Sequence, residues 1–351
     1  MRRLLPALGI ALVLVSCSSE KPTPSEPSEL PATTLAQTSP DVSALPPPDV
    51  VSDGLSGPTQ FLEHDDGSLI VAQLNGDEDS ATGQIVRIEP TTGTIRVLID
   101  GLDKPTGVAV LDGGLWVMER RALVRFTWDG GNTPVGPRET VLTGLPFNGR
   151  SSGTLTSLDA TTLLYETSGE LAGSTDTGTV TPGSGTLFAL DTRTRTSRPI
   201  ATGSKHAYAH WVTSGNRVLT TEILDGPGVH PPDELNVVNP EFPTDFGWPK
   251  CPADQPEKPG CSEIPPPLAV FPPDSTPTAV VADGNDVYVS LFVPGTIVRL
   301  SMAGWKPGQP PRPFRVVAEN LEGPHSMVVS KDGRLLVSEH FRGRILGYRR
   351  G

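Results

Sequence analysis

Short apolar runs, each closed by an Asp-Gly or Gly-Gly pair and resumed as a second apolar run, recur along the chain. This is the pattern of paired β-strands and not of helices. Four segments share it. Pro58-Thr59-Gln60-Phe61-Leu62 leads through Asp66-Gly67 to Leu69-Ile70-Val71-Ala72, and Pro105-Thr106-Gly107-Val108-Ala109 leads through Gly113-Gly114 to Leu115-Trp116-Val117-Met118-Glu119. Pro277-Thr278-Ala279-Val280-Val281 and Pro324-His325-Ser326-Met327-Val328 open the other two. Third strands follow, as in Gln84-Ile85-Val86-Arg87-Ile88 and Thr296-Ile297-Val298-Arg299-Leu300. Pro58 and Pro105 stand about 47 positions apart, as do Pro277 and Pro324, which is the period of four-stranded propeller blades. Gly153 to Leu158 and Ala207 to Val212 fall where two further units begin, making six. The last unit supplies three strands, and Asp49-Val50-Val51-Ser52-Asp53 is placed to add the fourth. The expectation is an all-β fold, a six-bladed β-propeller over residues 49–351, closed by its own N-terminal strand so that no sheet edge is left open. A two-sheet sandwich is the other all-β arrangement for this length, but it does not produce such a period.

Composition narrows the class further. With 37 Gly and 38 Pro, long uninterrupted helices are excluded. A net charge of −12 with no basic stripe excludes nucleic-acid backbones and anionic membrane surfaces as partners. The chain is expected to be a monomer.

Met1-Arg2-Arg3 followed by the apolar run Leu4 to Val15 reads as an export signal. The run ends Leu14-Val15-Ser16-Cys17, which resembles a bacterial lipobox. That assigns residues 1–16 to a cleaved signal and Cys17 to lipidation; residues 17–48, rich in Ser, Pro, Thr and Glu, form a tether too polar to fold. The protein is then exported and held by its lipid on the cell membrane or outer membrane, facing periplasm or exterior. A plain secretory signal with an incidental Cys is the alternative. The remaining cysteines, Cys251 and Cys261, lie either side of a short Pro-rich loop in an oxidising compartment and are expected to form a disulfide. The rival, a Cys/His metal site, lacks a second Cys pair or an H-x₃₋₅-H partner nearby.

In a propeller, residues leading into each inner strand and residues ending each second strand converge on one rim of the channel. The lead-ins bring Thr59, Thr106, Lys205, His206, His210 and His325 there, and the second strands bring Gln73, Glu119, Glu222, Glu339 and His340. Each of these taken singly also reads as a hydrogen-bonding cap on a strand end.

The fourth unit is the most specific. Thr221-Glu222-Ile223-Leu224-Asp225-Gly226-Pro227 is followed by Asp233-Glu234-Leu235-Asn236 and then by Asp245-Phe246-Gly247-Trp248-Pro249. This succession resembles the glucose/sorbosone dehydrogenase family, six-bladed propellers that include soluble quinoproteins using pyrroloquinoline quinone (PQQ) and Ca²⁺. The resemblance implies a sugar or polyol substrate, Ca²⁺ on the carbonyls of Gly226 and Pro227, and Asp233 near the cofactor; hard oxygen ligands suit Ca²⁺. Asp233, Glu234 and Asn236 also read as turn caps, and Phe246 and Trp248 as packing between blades.

Two departures bear on chemistry. Where the family carries its catalytic His, this chain has Asn148-Gly149-Arg150-Ser151-Ser152-Gly153, and Arg150 cannot act as a base. Where the family has Arg-Asn after Ala-Thr-Gly, this chain has Lys205-His206. The expectation is therefore that Lys205, His206, Arg150 and Asp233 contact the quinone and that His206 or His210 replaces the missing base. A non-catalytic binding propeller and a metal-dependent lactonase built on Glu119, Glu222 and Glu339 are the other two readings. Gly149 to Gly153 matches G-x-S-x-G literally, but Thr154-Leu155-Thr156 continues as strand where a nucleophile elbow needs a helix.

Overall fold

Each apolar run forms one rung of an antiparallel meander, and six such meanders stand in a ring. The computed structural model describes residues 44–350 except 77–81, 134, 148, 150, 173–178, 225–229 and 252–257. Among the described residues there is no helix. The expected Cys17, Arg150, Gly226 and Pro227 lie outside the described residues.

The first blade runs Pro58–Glu63, Leu69–Leu74, Thr82–Ile88 and Ile95–Asp103, from channel to rim. The second repeats this with Gly107–Leu111, Gly114–Glu119, Ala122–Thr127 and Val135–Thr143. Blade three, Thr156–Asp159, Thr162–Thr167, Thr186–Asp191 and Ser197–Thr202, carries a fifth, parallel strand, Thr244–Asp245, sent across from the next blade. Blade four is His210–Val212, Val218–Glu222, Pro232–Val238 and Ala269–Pro273, and blade five begins at Pro277–Asp283. Blade six, Pro324–Val329, Arg334–Glu339 and Arg344–Arg349, is completed by Asp49–Ser52 pairing antiparallel to its third strand, which closes the ring as the repeat predicts.

Second strands are buried at nearly every position because each blade is covered on both faces. In Leu69–Leu74 all six residues are buried. Ile70 and Ala72 pack against Val108, Leu115 and Val117 of blade two, while Leu69 and Val71 pack against Leu336 and Ile345 of blade six. One strand thus belongs to two cores.

Side-chain staples lock the lead-ins around the ring. Thr59 Oγ1 donates to the Pro105 carbonyl at 2.9 Å, Thr106 Oγ1 to Gly153 at 3.3 Å, and Thr278 Oγ1 to Pro324 at 2.8 Å. His325 stands where the Thr would stand in blade six, and its Nδ1–H meets the Thr59 carbonyl at 2.6 Å. Blades three and four begin their inner strands at Thr156 and His210, later than the pattern predicts. Their lead-ins bond to each other instead, with Thr154 N–H on the Tyr208 carbonyl at 2.8 Å. Cys251 and Cys261 are joined by a disulfide, Cα atoms 5.6 Å apart, both buried. It closes a short loop and contributes at most about 3 kcal/mol, so it shapes the segment beneath blades three and four and does not hold the ring.

Candidate functional site

A collar of acidic or amide side chains ends the second strands. Gln73 Oε1 accepts the Ser56 amide at 3.1 Å, Glu119 Oε1 that of Asp103 at 3.1 Å, and Glu339 Oε1 that of Glu322 at 2.8 Å. Glu166 accepts the Gly153 amide at 2.7 Å, and Glu222 the Lys205 amide at 2.5 Å. In all five, the side chain at the end of a blade's second strand caps the segment leading into that blade. Blade five has Leu291 at this position, paired with Pro277, and a neighbour takes over the cap. Asp233 of blade four accepts the Thr276 amide on Oδ2 at 2.7 Å and the Leu224 amide on Oδ1 at 2.8 Å. The residue expected to sit beside a cofactor is thus a fully buried backbone cap joining two blades.

This repeated duty separates the three glutamates proposed for a metal centre. Glu119 is paired with Arg138 at 2.5 Å and Glu339 with Arg344, each within its own blade. Among the described residues no group of three or more His, Cys, Asp or Glu side chains is placed to hold a metal. Among the described residues Glu119, Glu222 and Glu339 do not form a metal-holding group.

Blades three and four differ from the rest of the collar. Glu166 and Glu222 form no ion pair with Arg or Lys among the described residues, and each keeps one oxygen, Oε2, buried without a partner. Burial, with the Glu234 carboxylate adding to it, pushes the Glu222 carboxyl up to about 8. Two underpaired carboxylates on neighbouring second strands are a costly arrangement in a collar whose other glutamates, Glu119 and Glu339, have arginines.

The group that meets Glu166 is His206. Its Nδ1 lies 3.3 Å from Glu166 Oε1 and 3.2 Å from Ser168 Oγ, while Nε2 faces Ser151 Oγ at 3.4 Å. The ring is held edge-on by Tyr208, centroids 5.1 Å apart. A carboxylate on the Nδ1 side favours the tautomer with hydrogen there, which leaves Nε2 as the free base toward Ser151. Two glycines permit this approach. A Cβ on Gly153 would stand 2.4 Å from Glu166 Cγ, and one on Gly169 would stand 2.7 Å from Trp248 and 2.9 Å from the Lys205 carbonyl. Trp248 and the buried Phe246 therefore pack between blades, as the sequence suggests.

Lys205 is half-buried at the same lead-in and donates from Nζ to the Leu224 carbonyl at 3.0 Å, just before the 225–229 segment. His210 is placed differently. Its Nε2–H is committed to the Ala207 carbonyl at 2.7 Å, and burial holds its pKa down at about 4. It lines a channel cavity of about 380 Å³ walled by the inner strands, where Gln60 bridges Val108 and Leu155. That cavity lies inside the ring, and Thr154, Leu155 and Ala209 from the lead-ins to blades three and four share its wall. His210 is accordingly a structural residue of the channel wall. His325 and His340, stacked at 5.2 Å, bond to the Thr59 and Pro58 carbonyls and belong to ring closure.

Glu166, Ser151 and Ser168 are absent from the sequence-derived candidates. The collar itself carries the signal: aligning the ends of the second strands puts Glu166, after Leu163-Leu164-Tyr165, in register with Glu119 and Glu222.

No protein-family model and no curated protein matches the chain. Its fold is similar to several solved structures. The PQQ-bound form of an aldose sugar dehydrogenase from Streptomyces coelicolor superposes with a TM-score of 0.68 at 17% identity, over 87% of this chain and 98% of that one. The holo form of the pyranose dehydrogenase PQQ domain from Coprinopsis cinerea gives 0.64 at 14% identity, over 86% and 94%. The calcium structure of a Trichoderma reesei carbohydrate-active enzyme of family AA12 gives 0.66 at 17%, over 90% and 100%. The chain has the six-bladed propeller of sugar dehydrogenases along nearly its whole folded length.

Proposed function

We propose that this protein oxidises the alcohol of a sugar or polyol at the lead-ins to blades three and four, with PQQ and Ca²⁺ as cofactors. The observation that carries the reading is His206. It replaces the Asn of the resembling family, yet its Nε2 reaches Ser151, the residue after Arg150, in the segment where that family keeps its catalytic His. A base lost from one lead-in is thus supplied from the next.

The described residues fit the cofactors. Lys205 offers a cation to an anionic quinone, and the unpartnered, buried Glu222 oxygen suits the neighbourhood of a hard cation. By resemblance, Gly226 and Pro227 would hold Ca²⁺ on their carbonyls and Arg150 would contact the quinone. When bound, PQQ supplies the acceptor for the hydride that leaves the carbinol carbon. The chain's own part is the proton. His206 Nε2 takes it from the substrate hydroxyl, and the Glu166 carboxylate at Nδ1 stabilises the imidazolium that forms. Burial of both groups keeps water from competing. Protein incubated with PQQ and Ca²⁺ should reduce a redox dye on addition of an aldose or polyol from a substrate panel. No reduction with any of them contradicts the reading.

We place the protein on the exterior or periplasmic side of a membrane through lipid on Cys17. Cys17→Ala should move it from the membrane fraction to the soluble one. Retention of the variant on membranes at high salt would contradict the anchor.

A further inference from the structure

The Ser of the G-x-S-x-G match has no helix behind it, yet in three dimensions it meets the other two members of a relay. Ser151 Oγ is 3.4 Å from His206 Nε2, and His206 Nδ1, hydrogen-bonded to Ser168 Oγ at 3.2 Å, lies 3.3 Å from Glu166 Oε1. Nucleophile, base and orienting acid come from the lead-in to blade three, the lead-in to blade four and the second strand of blade three. We infer that Ser151, His206 and Glu166 form a nucleophile–base–acid triad that hydrolyses a small ester or lactone by acyl transfer, an activity that goes beyond the quinone chemistry proposed above.

Such triads are recognised by geometry and role, on unrelated folds and in any chain order. Contacts of 3.3–3.4 Å are in the range that unliganded sites show before they tighten around substrate. Each member is set for its part. Ser151 is partly exposed, whereas Glu166 is 1% and His206 4% exposed, so the nucleophile is the most accessible of the three. Glu166 is held by the Gly153 amide and by Ser168 Oγ, which fixes its position against the imidazole. The amide of Ser152, the residue after the nucleophile, donates to no acceptor among the described residues, and that is the place of an oxyanion donor in serine hydrolases.

The chemistry balances without a co-reactant other than water. Ser151 Oγ attacks the carbonyl carbon as its proton passes to His206 Nε2. The ester or ring C–O bond then breaks, and the leaving oxygen takes that proton. Water, deprotonated by the same Nε2, next attacks the acyl group and releases a carboxylic acid and free Ser151. Oxidation of a cyclic hemiacetal yields a lactone, so this hydrolysis is the class of reaction that would consume such a product.

The test treats the full-length protein with a fluorophosphonate probe in EDTA with no quinone, and maps the adduct by peptide mass. The expected result is an adduct on Ser151, absent in Ser151→Ala, formed at least 100-fold more slowly in His206→Asn and at least tenfold more slowly in Glu166→Gln. Hydrolysis of p-nitrophenyl acetate should fall in the same order. No adduct on the wild-type protein, or an adduct elsewhere, overturns the triad. The wild-type mapping decides this even where a variant fails to fold. Quinone binding is read separately by thermal shift, so failure of one proposal is distinguishable from failure of the other.

Discussion

His206→Asn should lower PQQ-dependent sugar oxidation by about 10²- to 10⁴-fold, the usual contribution of a positioned general base. Asn can still donate to Glu166 and fill most of the imidazole's volume, so far-UV circular dichroism should remain that of the parent. Glu166→Gln should cost less, about tenfold. It keeps an acceptor for the Gly153 amide and removes only the charge that steadies the imidazolium. His210→Asn tests the opposite assignment. Because the His210 ring is committed to the Ala207 carbonyl inside the channel, its replacement should act on stability and leave the pH profile of turnover unmoved. A His206→Asn enzyme retaining more than about a tenth of wild-type turnover would move the base elsewhere.

Replacing Glu222 by Gln should change how stability depends on pH more than any other single substitution in the collar. In the fold this carboxyl keeps its proton up to about 8, against an ordinary value of 4.5 in the unfolded chain. Between those values the folded protein binds more protons than the unfolded one. Its stability is fully present below the lower value and is lost as pH rises toward the upper one. At about 1.4 kcal/mol per pKa unit the loss amounts to several kcal/mol. Gln retains an acceptor for the Lys205 amide and cannot ionise. In EDTA, the wild-type melting midpoint should therefore fall from pH 7 to pH 8.5, above the range in which the buried histidines act, while that of Glu222→Gln stays nearly level and ends higher. Parallel curves would mean that the Glu222 charge is compensated. The acid limb should be common to both proteins. His210 and His325 are held neutral, with pKa values brought down to about 4 and 3 by burial, so the stability they contribute is lost as pH falls below their unfolded value of 6.5.

The propeller could be read from the chain because its blades repeat their punctuation. A Pro before the inner strand and a Gly turn after it mark four of the six units, and the short Asp49–Ser52 strand finds its place because blade six is one strand short. Insertions in blades three and four blurred that register. They hid Glu166, which only the completed collar aligns with Glu119 and Glu222. Convergence on one rim does not by itself mean chemistry: Thr59, Thr106 and His325 staple blades to one another, and Asp233 stands in for the cap that Leu291 cannot provide. Residue type alone does not separate a carboxylate that caps an amide from one that orients a base. The separation comes from what meets the second oxygen: Arg138 for Glu119 and Arg344 for Glu339, against a buried oxygen with no arginine for Glu166 and Glu222.

Calorimetric titration of the protein with PQQ in excess Ca²⁺ tests the central claim most directly, because it requires neither the right sugar nor turnover. Lys205 is the described cation at the lead-in that holds His206, in a protein of net charge −12. The account predicts saturable binding by the wild type and at least about tenfold weaker binding by Lys205→Ala, equal to about 1.4 kcal/mol. Absence of binding at high micromolar quinone, or equal binding by the two proteins, would contradict it.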